Sequence, residues 1–157
     1  MIFLKLLLSV LLGGAIGLER QMHGHSVGIR TSALISMGAC LAAIISMRVC
    51  GDPGRISAQV ISGIGFIGAG IIWKSGLSQV HGLTTAVITW VAGIIGLACG
   101  CDLYTEAVET TVLEVFVLII LNKYKPKGRS SKTPAPSDVK DTVETSNEFD
   151  SDRIGIV

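Results

Sequence analysis

From residue 1 to residue 121 the chain repeats long apolar runs, each closed by one or two charged residues. Arg30 and Arg48 bracket 17 uncharged residues, Arg55 and Lys74 bracket 18, and Lys74 and Asp102 bracket 27 with His81 inside. An apolar stretch of about 17–25 residues crosses a bilayer as a helix. A soluble domain of 157 residues has no room to bury several such stretches. The pattern therefore predicts an all-α, polytopic membrane protein with helices at Ile2–Leu18, Thr31–Val49, Pro53–Trp73, Leu83–Cys101 and Tyr104–Leu121. Met1–Leu18 has the length of a secretory leader, and Lys5 supplies the charge of one. Gly13 and Gly17, however, form a GxxxG pair of the kind that packs membrane helices, and Glu19-Arg20 follows as a helix end would. The segment is read as a retained first helix.

Composition sharpens the division. The chain is 49% hydrophobic and 16% charged, against about 25% charged in a typical soluble chain. Residues 122–157 hold 7 of the 13 Lys and Arg and 6 of the 12 Asp and Glu. Residues 1–121 are thus a membrane domain, and 122–157 a basic, then acidic tail. Its Pro, Ser, Thr and acidic residues predict disorder.

Basic residues in short loops set orientation. With the N-terminus outside and the C-terminus cytoplasmic, the inner side holds Arg20, Arg30, Lys74 and the cluster Lys123, Lys125, Lys127, Arg129 and Lys132. The outer side holds Lys5, Arg48 and Arg55. Losing the fifth helix would put the basic cluster outside. A net charge of +1 excludes the basic face that a nucleic-acid binder needs. The expected surroundings are the lipid bilayer and other helices.

Glycine is dense, with 17 of 19 falling before residue 101. Gly63 to Gly70 contains GxGxxG, but the nucleotide fold needs a strand, a turn and a following acidic residue. Here the motif sits inside an uncharged run. Missing side chains let helix backbones approach closely. That assigns Gly13, Gly17, Gly63, Gly65, Gly68, Ala69, Gly70, Ala92, Gly96 and Gly100 to helix packing. It makes the third and fourth helices the expected centre, with an unwound segment at Gly63–Gly70 as a rarer alternative.

Asp52-Pro53-Gly54-Arg55 reads as a helix start, because Asp caps free N–H groups and Pro suits the first position. Asp52, Gln59, Ser62, Thr84 and Thr85 could line a polar or ion path, Gln59 being the hardest to hide in lipid. Thr and Ser also bond cheaply to their own helix carbonyls. Glu19 and Arg20, with Arg30 across the first loop, suggest a charge pair tying the first two helices together. His23 and His25 lack a third metal ligand, so no metal or cofactor is assigned. Glu109 fits the outer water boundary. Glu114 lies deeper and would be neutral, paired or facing a partner, since a carboxyl group inside a span is a functional candidate. Cys40 reads as an apolar filler, whereas Cys50, Cys99 and Cys101 fall near one face, where a disulfide is conceivable. No GxSxG, HExxH or paired-carboxylate pocket emerges, so no enzyme is expected.

Several pieces then occur in order: Gly17-Leu18-Glu19-Arg20-Gln21, Gly28-Ile29-Arg30-Thr31, Asp52-Pro53-x-Arg55-Ile56, the run Gln59-Val60-x-Ser62-Gly63-Ile64-Gly65-Phe66-Ile67-Gly68-Ala69-Gly70, and Gly82-Leu83-Thr84-Thr85-Ala86 with Trp90. Over residues 5–121 the chain resembles the MgtC/SapB family of bacterial inner-membrane proteins. The resemblance implies a five-helix domain with its N-terminus outside and a link to growth in low magnesium. For pathogens it implies survival inside macrophages. The family carries a magnesium-transporter label, yet many members act as regulators of other membrane proteins. Several carry a soluble C-terminal domain, which the tail here does not resemble, and Glu109 with Glu114 is unusual for the family's apolar fifth helix. Two functions follow: a non-enzymatic regulator that works by contact with another membrane protein or with itself, and an ion transporter using the polar path.

Overall fold

The computed structural model describes residues 1–25, 27–49, 52–75 and 79–123. The expected tail and Cys50 lie outside the described residues. Among the described residues five helices form, α1 (Ile2–Met22), α2 (Ile29–Val49), α3 (Pro53–Ile71), α4 (Leu83–Gly100) and α5 (Tyr104–Lys123), with strands β1 (Trp73–Ser75) and β2 (Gln79–His81) between α3 and α4. Three helices, α1, α2 and α4, are long and apolar enough to cross a membrane. The other two carry more polar side chains, among them Arg55 and Gln59 on α3 and Glu106, Glu109 and Glu114 on α5.

The helix starts and stops have local causes. Asp52 caps α3, its Oδ1 accepting from the Gly54 N–H at 3.0 Å, and Pro53 takes the first position. α3 runs unbroken to Ile71, two residues short of the expected Trp73. The chain then turns into an antiparallel hairpin pairing Trp73 with His81 and Lys74 with Val80, and the Trp73 and His81 rings stack at 4.7 Å. Gly82, at φ 84°, closes the hairpin and opens α4. Asp102 takes a left-handed conformation, φ 67°, in the turn into α5.

α4 sits at the centre, packed against α1, α2, α3 and α5. Its small residues permit this. A Cβ on Gly96 would stand 2.7 Å from the Ser36 carbonyl carbon, and one on Gly100 would stand 2.6 Å from the Cys40 carbonyl oxygen. Gly13 and Gly17 bring α1 equally close to α2, where a Cβ would meet Ser32 O and Gly28 O at 2.8 Å. Ala92, Cys40, Cys99 and Ile95 fill the core between these helices. Among the described residues Cys40, Cys99 and Cys101 are free thiols, and Cys99 is buried in the core near the end of α4.

The expected centre of α3 with α4 is corrected. The tightest approaches join α4 and α1 to α2, and α3 lies to one side. Gly68 makes ordinary contact with Ala86, and Ile64 covers Gly93, but a Cβ on Gly63, Gly65 or Gly70 would meet nothing within 4 Å. Ala69 is exposed as well. The physical reason is helical phase. Residues 56, 57, 60, 61, 64, 68 and 71 form the inward stripe of α3, which packs against α2 and α4, and most of the glycines fall off it.

Candidate functional site

Three helices deliver charged or polar side chains to one buried seam. α1 continues past the expected Leu18, so Glu19 and Arg20 occupy its last turn instead of lying beyond its end. Glu19 is 8% exposed and Arg20 5%. From the first turn of α4, Thr85 accepts a hydrogen bond from Arg20 Nη2 at 3.2 Å. From α5, Glu114 faces the same guanidinium and Glu19, within electrostatic reach of both. The His23 Nδ1–H donates to the Glu19 carbonyl at 2.8 Å and lies 3.1 Å from Glu19 Oε1.

The seam is electrostatically incomplete. Glu19 Oε2, Arg20 Nε and both Glu114 oxygens are buried without a hydrogen-bond partner. Buried polar groups are nearly always paired, and each exception calls for a cause. Arg20 can balance one carboxylate, but two face it. The cluster joins a cation, two carboxyl groups and a hydroxyl in a low-dielectric gap between helices, where charge interactions are far stronger than in water.

The sequence expectation for these residues needs correcting. Of the three settings expected for Glu114, the structure places it facing Arg20 inside the bundle. Arg30 is exposed on α2, and the side chain that meets Glu19 is His23, 3.1 Å away and one turn further along the chain. Glu109 is exposed. The proposed polar path is not assembled either. Asp52, Gln59, Ser62 and Thr84 are all exposed, and Thr85 alone of the five is buried and engaged. Gln59 and Ser62 sit off the α3 stripe that meets α4. Thr89 bonds to the Thr85 carbonyl at 2.9 Å, the local bond expected of a threonine in a helix. Among the described residues no group of three His, Cys, Asp or Glu side chains converges as a metal site would need.

A second polar group lies at the opposite end of α1. Lys5 Nζ donates to Asp102 Oδ2 at 2.7 Å and to the Gly100 carbonyl at 3.2 Å. The Tyr104 hydroxyl donates to Asp102 Oδ1. The Lys5 and Tyr104 hydrogen bonds hold the Asp102 carboxyl below the usual carboxylate range. A third feature is apolar: a cleft of about 260 Å³ between α3 and α4, with Gly65, Gly68 and Ala69 on one side and Leu83, Val87 and Trp90 on the other.

The sequence that folds into this glycine-packed bundle, with Glu19-Arg20 at the end of its first helix, matches a known family. The model of the MgtC family matches residues 6–126. The chain belongs to the MgtC family. It is 42% identical over 121 residues to Protein MgtC of Salmonella typhimurium (strain LT2), covering 76% of this chain and 52% of the relative. It is 44% identical over 113 residues to Protein MgtC of Brucella suis biovar 1, covering 71% and 47%. This MgtC-family chain spans about half the length of the curated relatives it matches. No solved structure matches it. The Glu19–Arg20–Thr85–Glu114 seam lies wholly within the stretch that defines its family membership. Gly93, covered by Ile64, is the member of the packing set whose role sequence reasoning missed. The signal for Gly93 was its place on the same small-residue face as Ala92, Gly96 and Gly100.

Proposed function

We propose that this protein is a five-pass helical protein of the bacterial inner membrane, N-terminus outside and C-terminus cytoplasmic. It acts without catalysis, as a regulator in magnesium homeostasis, by laying a helix face against another membrane protein. The basic residues of the short loops support the orientation, and family membership supports the link to magnesium. The single observation that carries the mode of action is the α3–α4 cleft. Its floor of small residues leaves room for another helix's side chains, as Gly65 has nothing within 4 Å of where a Cβ would stand. Between transmembrane helices, such close approach is the main source of association.

The competing transporter reading predicts magnesium flux. Purified protein in sealed vesicles with a trapped magnesium dye should show none. A membrane protein that co-purifies with the wild type should be lost on Gly65→Leu, which fills the cleft, and kept on Gly38→Leu, an open position on α2. Flux abolished by Asp52→Asn or Gln59→Ala would overturn the regulator reading.

A further inference from the structure

At the end of the bundle where α1 and α5 begin and α2 and α4 finish, a cavity of about 520 Å³ opens. Pockets for organic molecules run from about 300 to 1,000 Å³, so the space is larger than a lone inorganic ion needs. Its lining has two characters. Ile2 of α1 with Ile44 and Met47 of α2 form an apolar wall, and Lys5, Arg48, Asp102 and Tyr104 supply polar groups.

The polar groups are unevenly engaged. Asp102 accepts from Lys5 Nζ at 2.7 Å on one carboxylate oxygen and from the Tyr104 hydroxyl on the other. Lys5 also donates to the Gly100 carbonyl at 3.2 Å. Lys5 and Asp102 thus neutralise each other. Arg48 lines the same cavity, is exposed, and makes no hydrogen bond or ion pair among the described residues. The charged side chains of the lining are therefore two cations and one carboxylate, and the unmatched cation is a guanidinium. Its planar fork of N–H donors suits the oxygens of a phosphate group. Arg48 stands in the last turn of α2, a helix long and apolar enough to cross a membrane. Long cationic side chains near the ends of such helices reach the level of the lipid headgroups.

We propose that this cavity is a binding site for a phospholipid, whose phosphate is held by Arg48 and whose acyl chain lies against Ile2, Ile44 and Met47. A free phosphate ion would use the guanidinium and leave the apolar wall in water, whereas an amphiphile covers both. The bound lipid joins the end of α2 to the Lys5–Asp102 junction of α1 with α5.

The inference rests on the membrane passage proposed above but needs neither a partner nor magnesium. Native mass spectrometry of the purified full chain in detergent, titrated with dihexanoyl phosphatidylglycerol, counts the lipid it retains. The wild type should take up a single lipid per chain, saturably. Arg48→Gln should weaken that binding by about tenfold or more, the loss of one charge-assisted pair. Arg55→Gln, which removes an exposed cation outside the cavity, should leave it unchanged. Met47→Trp, which narrows the apolar wall at a partly exposed position, should also weaken it. Equal weakening by Arg48→Gln and Arg55→Gln would reduce the binding to general surface charge and overturn the site. Inorganic phosphate at the same concentration should not displace the lipid. Full displacement would assign the cavity to a free anion and overturn the lipid, and equally tight binding of dihexanoyl glycerol, which has no phosphate, would overturn the role of Arg48. A wild type that leaves membranes only with detergent, yet retains no lipid saturably, overturns the site and leaves membrane passage intact. A chain that stays in solution without detergent overturns membrane passage and the site together.

Discussion

Lys5, in the second turn of α1, and Asp102, in the turn between α4 and α5, meet at 2.7 Å across 97 residues of chain. The contact fixes the start of the first helix to the junction of the last two. It lies at the opposite end of α1 from the Arg20 seam, so α1 is held to the rest of the bundle by polar contacts at both ends. The Asp102 carboxyl sits below the usual carboxylate range, because Lys5 and Tyr104 both donate to it. A carboxyl depressed on folding stabilises the fold above the ordinary Asp value of about 3.9, and that contribution is lost as pH falls through the lower folded value. In thermal unfolding, the wild type should lose stability faster than Asp102→Asn below about pH 4. Asn suits the left-handed backbone there but carries no charge. Parallel acid profiles would show that the ion pair contributes nothing.

Gly96 and Gly63 should respond oppositely to the same change. At Gly96 a methyl group would drive into the Ser36 backbone of α2, and forcing extra volume into packed helices costs about 1–3 kcal/mol. At Gly63 nothing lies within 4 Å, and Ala is the better helix former by up to about 1 kcal/mol. Unfolding in detergent should place Gly96→Ala well below the wild type and Gly63→Ala level with it or above. Equal effects would mean that α4 and α2 are not in backbone contact.

Arg20 and Glu114 should not be equivalent, although they face each other. Arg20→Met removes the one cation balancing two buried carboxyl groups, and breaking such a pair costs about 3–5 kcal/mol. Glu114→Leu removes two unpartnered acceptors and leaves Glu19 matched with Arg20. It should be neutral or stabilising, as replacing buried charge by apolar volume often is. A double-mutant cycle on the two sites measures their coupling. Comparable losses from both single variants would contradict the charge balance described for the seam.

Thr85 and Thr89 offer a finer comparison on one helix. Thr85 accepts from Arg20 Nη2, whereas Thr89 satisfies itself on its own backbone. Thr85→Val leaves a buried guanidinium donor without its acceptor, at about 1–3 kcal/mol. Thr89→Val leaves no unpaired group but a carbonyl already bonded within the helix, and should change stability by less than about 1 kcal/mol. Unfolding of the two variants side by side decides it, and an equal effect would remove Arg20 from contact with α4.

The sequence by itself determined the helices, because apolar run length and charge spacing are local and a helix repeats every 3.6 residues. Asp52-Pro53 marked the start of α3 for the same local reason. The GxxxG pair of α1 and the small residues of α4 were readable as faces made for close approach. The hairpin after α3 escaped, since strands of three residues carry no period to detect and their residues read as the end of a helix. Only the tertiary structure decided which faces meet. Gly96 against Ser36 and Gly17 against Ile29 set the rotation of α4 and α1, and that rotation left the glycines of α3 open. The same rotation brought Glu114 to Arg20, while the run of α1 to Met22 gave Glu19 to His23 instead of Arg30. Spacing along a chain fixes the angle of each side chain on its own helix, but a contact between helices depends on two angles and a distance that no single segment contains.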